Sequence, residues 1–119
     1  MDKWQALDSF FNGFGVEAYD DNSVPDDISY PYITYTSYID SIGNDVQIDA
    51  SIWDLNTSWE RVDTLVNTIG ERLLKMSCPA IDGGRYRAYK GRPFAQRLGD
   101  AEKDIKRTVL HVNFEFMTE

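Results

Sequence analysis

Residues able to carry chemistry fall into three groups along this 119-residue chain. The first is acidic. Asp20-Asp21 and Asp26-Asp27 bracket a turn-forming stretch, and clustered carboxylates of this kind can hold a hard cation. A calcium loop also needs a glycine at its sixth position and a closing glutamate, and both are missing. The pairs read as solvated loop acids, and no metal site is expected. The second group is Cys78 and His111, each the sole residue of its type. A single cysteine forms no internal disulfide, which suits a reducing cytoplasm. A thiolate nucleophile needs a nearby imidazole and an electropositive surround. Cys78 precedes Pro79 in a loop, whereas His111 sits between Leu110 and Val112 in a strand-like run, so both are expected to be structural.

The third group is basic. Arg85, Arg87, Lys90, Arg92 and Arg97 follow one another without an intervening acid and are interleaved with Tyr86 and Tyr89. Guanidinium groups neutralise phosphates and aromatic rings stack on bases, so the run has the composition of a nucleic-acid contact. A formal net charge of -8 opposes that reading for a free domain. A ring of subunits with its basic runs at the centre escapes the objection. The commoner role of such a run is to meet acids on a neighbouring protein. Asp82-Gly83-Gly84 lacks the spaced glycines and the lysine of a phosphate-binding loop. With no assembled acid-base set either, neither catalysis nor a cofactor is expected.

The charge is unevenly placed. Residues 1–56 hold eleven acids against Lys3 alone, and residues 57–119 hold eleven bases against nine acids. The molecule is therefore expected to be electrically two-faced. Hydrophobic residues at 42% and aromatics at 13% argue for a folded chain, and the length fits one domain over residues 1–119. The N-terminus lacks a basic start followed by an apolar run, and no stretch approaches the roughly 20 apolar residues of a membrane span. A soluble, unexported protein without a membrane partner is expected.

The elements that must position these groups follow from periodicity. Trp4, Leu7, Phe10 and Phe11 predict a short helix over 3–11 that ends at Asn12-Gly13. Residues 20–27 predict an exposed acidic loop. Residues 30–39 predict a strand with Tyr30, Tyr32, Thr34, Thr36 and Tyr38 on one side, and Pro31 implies an edge or a strand end there. Residues 46–53 alternate cleanly, Val46, Ile48, Ala50 and Ile52 inward, and pair with the preceding strand as a hairpin turning at 42–45. Thr57 and Glu60 predict a capping box opening a helix over 58–75, with Trp59, Val62, Leu65, Val66, Ile69 and Leu73 as its apolar stripe and Arg61 on the solvated face. Gly70 within it predicts close approach to a neighbouring backbone. A strand over 85–98, interrupted at Gly91-Arg92-Pro93, and a long central strand over 105–117 complete the chain. The expected fold class is α+β: a twisted antiparallel sheet of about four strands, one long helix packed across it and a short N-terminal helix, in the order α-β-β-α-β-β.

Tyr30-Pro31-Tyr32-Ile33-Thr34-Tyr35, the strand from Val46 through Trp53-Asp54, a helix ending Arg72-Leu73-Leu74, a glycine-bearing hairpin and a last strand ending Val112-Asn113-Phe114-Glu115-Phe116 occur in a characteristic order. In that order and spacing the chain resembles the tail-terminator, or tail-completion, proteins of long-tailed bacteriophages, often labelled minor capsid or head-tail joining proteins. The resemblance implies a homo-oligomeric ring, typically a hexamer, at the head-tail junction of a virion assembled in the host cytoplasm. There it stops growth of the tail tube and offers a surface to the head. The implied partners are copies of the chain, the tail-tube protein, a head-completion or neck protein, and non-specific DNA in the ring bore.

On this reading Tyr30, Tyr32, Tyr35 and Tyr38 form a subunit-interface edge, and Arg85, Arg87, Lys90, Arg92 and Arg97 face the lumen or an assembly partner. The acidic loop 20–27 matches no pattern of the family. Two alternatives stand beside it. One is a head-side neck or connector protein. The other is a small acidic binding module or antagonist, with Asp40, Asp45, Asp49 and Asp54 mimicking phosphates.

Overall fold

Asp2 opens the first helix. Its carboxylate accepts the backbone N–H of Gln5 at 2.8 Å while the Gln5 side chain accepts that of Asp2 at 2.8 Å, so two donors left open by a helix start are satisfied reciprocally. The computed structural model describes residues 1–36, 45–99 and 102–118. Its elements are α1 (Lys3–Phe11), β1 (Ala18–Asp20), β2 (Tyr32–Tyr35), β3 (Asp45–Leu55), α2 (Glu60–Lys75), β4 (Ala80–Ile81), β5 (Gly84–Leu98) and β6 (Ile105–Thr118).

The strands form one six-stranded sheet in the order β1-β2-β3-β6-β5-β4. The pair β1/β2 is parallel and the other neighbours are antiparallel, so the sheet is mixed, and it curls into a half-barrel. This overturns the expected four-stranded antiparallel sheet with one long helix across it. The two strands that pattern reading missed, β1 and β4, have three and two residues. What makes β1 a strand is backbone pairing with distant β2: Ile33 N–H donates to the Glu17 carbonyl at 2.9 Å and Asp21 N–H to that of Tyr35 at 3.0 Å. Local propensity at Asp20-Asp21 carries no trace of that contact.

Nor does one helix cover the sheet. Val62, Leu65, Ile69 and Leu73 of α2 share the core with Ala6, Leu7, Phe10 and Phe11 of α1 and with Phe14. Facing them are Val46, Ile48, Ala50 and Ile52 of β3 and Leu110, Val112, Phe114 and Phe116 of β6, all buried. Each such large side chain contributes about 1.5 to 3 kcal/mol on burial. Phe10 meets Phe114 edge-on at 5.4 Å, and Phe11 stacks on Tyr35 at 4.9 Å.

Local chemistry departs from expectation at α2. The helix begins at Glu60 after Trp59, which makes no side-chain cap, so the Thr57/Glu60 capping box does not form. Instead Ser58 Oγ accepts the Glu60 N–H at 3.1 Å. A Cβ on Gly70 would meet side chains of β5, Lys90 Cε at 3.3 Å and Phe94 Cε2 at 3.4 Å, rather than a backbone. The interruption expected in β5 is present as a shift of register between Lys90 and Ala95. Residues 42–44 of the expected turn lie outside the described residues.

Candidate assembly surfaces

Register divides the basic run between the two faces of the sheet. Arg85 and Arg87 stand opposite Met117 and Glu115, on the face turned away from the helices; Lys90 and Arg97 stand opposite Val112 and Thr108, on the helix side. Arg92 occupies the register shift and is exposed. The five cations therefore do not form one patch. Four have contacts within the chain. Arg87 Nε donates to Glu115 Oε2 at 2.7 Å, and this carboxylate raises the guanidinium pKa further. Arg97 donates to Asp63 at 2.7 Å with its guanidinium 4.5 Å from the Trp59 ring. Arg85 donates to the Cys78 carbonyl at 2.9 Å, and Lys90 lies over Phe94 at 5.1 Å.

The tyrosines are also divided. Strand β2 lies between β1 and β3, so it is an inner strand and not the expected subunit-interface edge, and Pro31 marks its start. Tyr32 and Tyr35 are buried, and Tyr30 is exposed. Tyr38 lies outside the described residues. Burial, with a hydrogen bond from its hydroxyl to Asp8 at 3.0 Å, pushes the Tyr35 phenol well above the usual range. Burial also raises Tyr32 and Tyr86.

On the face away from the helices, Tyr32 stacks on Trp53 with ring centroids 6.2 Å apart, and the Arg107 guanidinium lies 4.4 Å from the Trp53 ring. Trp53 Nε1 donates to Thr34 Oγ1 at 3.0 Å, and Arg107 Nε donates to Ser51 Oγ at 3.1 Å. Sequence reading passed over this group. The available signal was a tryptophan at an outward position of an alternating strand, which needs an aromatic or cationic neighbour to cover it.

Further along that face, His111 Nδ1 lies 2.6 Å from Asp49 Oδ1 and 3.2 Å from Gln47 Nε2. An imidazole oriented by a carboxylate is two parts of a nucleophile-activating triad. The nearest hydroxyl along β3, Ser51, is buried and already accepts from Arg107. Cys78 precedes β4, which β5 separates from the strand of His111, and no contact joins the two side chains among the described residues.

Of the acids proposed as phosphate mimics, Asp45 and Asp49 share the outward face of β3 and Asp54 does not join them. Asp54 is fully buried in a pair with Arg61, Asp49 binds His111, Asp45 is exposed opposite Glu115, and Asp40 lies outside the described residues. Arg61, placed by periodicity on the solvated face, is exposed there and also pairs with the buried Asp54. Among the described residues no group of three or more metal-ligating side chains is found.

No protein-family model matches the chain, and no curated protein matches it. The chain is similar in structure to the gp17 protein of bacteriophage SPP1: TM-score 0.55, 20% identity, 95% of this chain and 80% of that one covered. At this identity the likeness establishes a shared fold. It extends across nearly the whole chain.

Proposed function

We propose that the chain is a structural assembly protein of a phage virion, and within that class a tail terminator. It associates with copies of itself into a ring, a hexamer by the sequence resemblance, at the head-proximal end of the tail. The ring stops tube growth and joins tail to head. The observation carrying this reading is the fold shared over 95% of the chain with a bacteriophage protein. The distribution of chemistry supports it: cations, tyrosines and acids are spread over edges and faces of an extended body, 47 Å in its longest dimension. Wide, dispersed surfaces suit assembly, whereas catalysis needs convergent groups.

Copies of the chain, the tail-tube protein and a head-completion protein are the proposed partners. DNA in the bore is the partner for those of Arg85, Arg87, Lys90, Arg92 and Arg97 that face it. Immunogold labelling of purified virions from the encoding phage tests the placement. Label at the head-tail junction, with overlong tails when the gene is deleted, is the expected result. Virions that carry no label and keep tails of normal length would contradict it. Label at the junction with normal tails and unjoined heads would favour the head-side neck reading.

A further inference from the structure

The two lateral borders of the sheet differ in both charge and backbone satisfaction. At the β1 border three outward backbone groups are already used. Asn12 Oδ1 accepts the Ala18 N–H at 3.0 Å, its Nδ2 donates to the Ala18 carbonyl at 3.3 Å, and Ser23 N–H donates to the Asp20 carbonyl at 2.9 Å. The charged side chains there are acids: Glu17, Asp20, Asp21, Asp26 and Asp27. A depression of about 420 Å³ beside them is lined by Glu17, Tyr30 and Pro31, among others.

The opposite border is β5. Strand β4 pairs only with Gly84 and Arg85, and Tyr86 N–H reaches the Pro79 carbonyl at 3.1 Å. From Arg87 to Leu98 the outer side of β5 has no strand partner among the described residues. An open strand edge is a template for another chain. Along this one stand Lys90 and Arg92, with no acid paired to either among the described residues.

We infer that the β5 edge of one copy receives the acidic β1–β2 connection of the next, Lys90 and Arg92 meeting Glu17, Asp26 and Asp27 beside the depression at Tyr30. The contact rests on the reading above, that copies of the chain associate, and names the surfaces through which they do so. Joining two different borders is heterologous, so repetition closes a ring or grows a filament and does not stop at a two-fold dimer. Like-to-like pairing of either border is repelled by its own charge.

Charge reversal tests this contact by mass photometry at low ionic strength. A basic-border variant (Lys90→Glu with Arg92→Glu) and an acidic-border variant (Asp26→Lys with Asp27→Lys) should each self-associate at least tenfold more weakly than the parent. Mixed together, they should co-assemble. Arg92→Glu alone, at an exposed position outside the core, should weaken association in the same direction and guards against a folding defect. Added salt should weaken the parent assembly.

A parent chain that stays monomeric at low salt, variants that assemble as the parent does, or a mixture that fails to co-assemble would each overturn the inference. Assembly that survives both reversals removes this contact and leaves the tail-terminator reading standing. Assembly that behaves as described, in virions without label at the junction, does the reverse.

Discussion

Asp54 at the end of β3 is fully buried, and both of its oxygens accept from Arg61 in the first turns of α2, Oδ2 from Nε at 2.9 Å and Oδ1 from Nη2 at 2.6 Å. The two ends of the pair are unequal, since the Arg61 side chain is 48% exposed and that of Asp54 0%. Arg61→Ala strands a buried carboxylate and is expected to cost about 3 kcal/mol. Asp54→Ala leaves a guanidinium that can turn to water and is expected to cost about 1 to 2 kcal/mol. Urea unfolding of both variants checks the order, and equal losses would show that burial of the acid is not the governing term.

Thr108 carries a second imbalance. Its Oγ1 is buried on the helix face of β6 without a hydrogen-bond partner among the described residues. Thr108→Val keeps the shape and removes the orphaned hydroxyl, so stability should rise by about 1 kcal/mol. For a domain of this size that is a rise of roughly 4 °C in Tm, readable by calorimetry.

The β5/β6 hairpin tolerates no side chain at Gly84. A Cβ there would collide with the Met117 carbonyl oxygen and sit 3.0 Å from Thr118 Cα, both backbone atoms of the paired strand. Gly84→Ala must part the strands and should cost at least about 2 kcal/mol. Gly99→Ala meets nothing within 4 Å among the described residues and serves as the neutral control. Similar thermal midpoints for the two would refute the packing argument.

Alkaline pH should unfold the protein in part through Tyr35. Its phenol is held above its ordinary value of 10.0 by burial and by the Asp8 hydrogen bond, so the folded state keeps a proton that the unfolded state releases. Stability is then fully present below pH 10 and declines as pH rises toward the folded value, because the unfolded chain binds fewer protons there. Tyr35→Phe should flatten that decline without changing its sign, since Tyr32 and Tyr86 are raised in the same direction. Denaturant midpoints measured from neutral pH upward give the two slopes.

How far the fold could be read in advance depended on whether its cause was local. Helix α1 occupies the expected span because Trp4, Leu7, Phe10 and Phe11 recur at helical spacing, although Trp4 itself is exposed. The inward face of β6 and the alternation of β3 came through for the same reason. Strands β1 and β4 did not, being too short to carry a period and defined by partners distant in sequence. The position of Tyr32 in an inner strand, and so its burial, follows from β1, and missing β1 made an edge of it.

The candidate surfaces were less legible still. Which face Arg87 or Arg97 takes depends on register and on where the strand shifts, and the composition of the run gives neither. Arg61 is exposed, as periodicity predicts, but helix periodicity cannot see its partner Asp54, seven residues earlier and on another element. The sealing of β1 by Asn12 likewise needs the geometry of the α1 end, which the sequence marks only as a turn.

Polymerisation of the phage's tail-tube protein with increasing amounts of this chain, with tube lengths measured by electron microscopy, tests the central claim most directly. The account predicts tubes that shorten as the chain is added, each carrying a ring of it at one end. Tubes whose lengths are unchanged and whose ends carry none of the chain would contradict it.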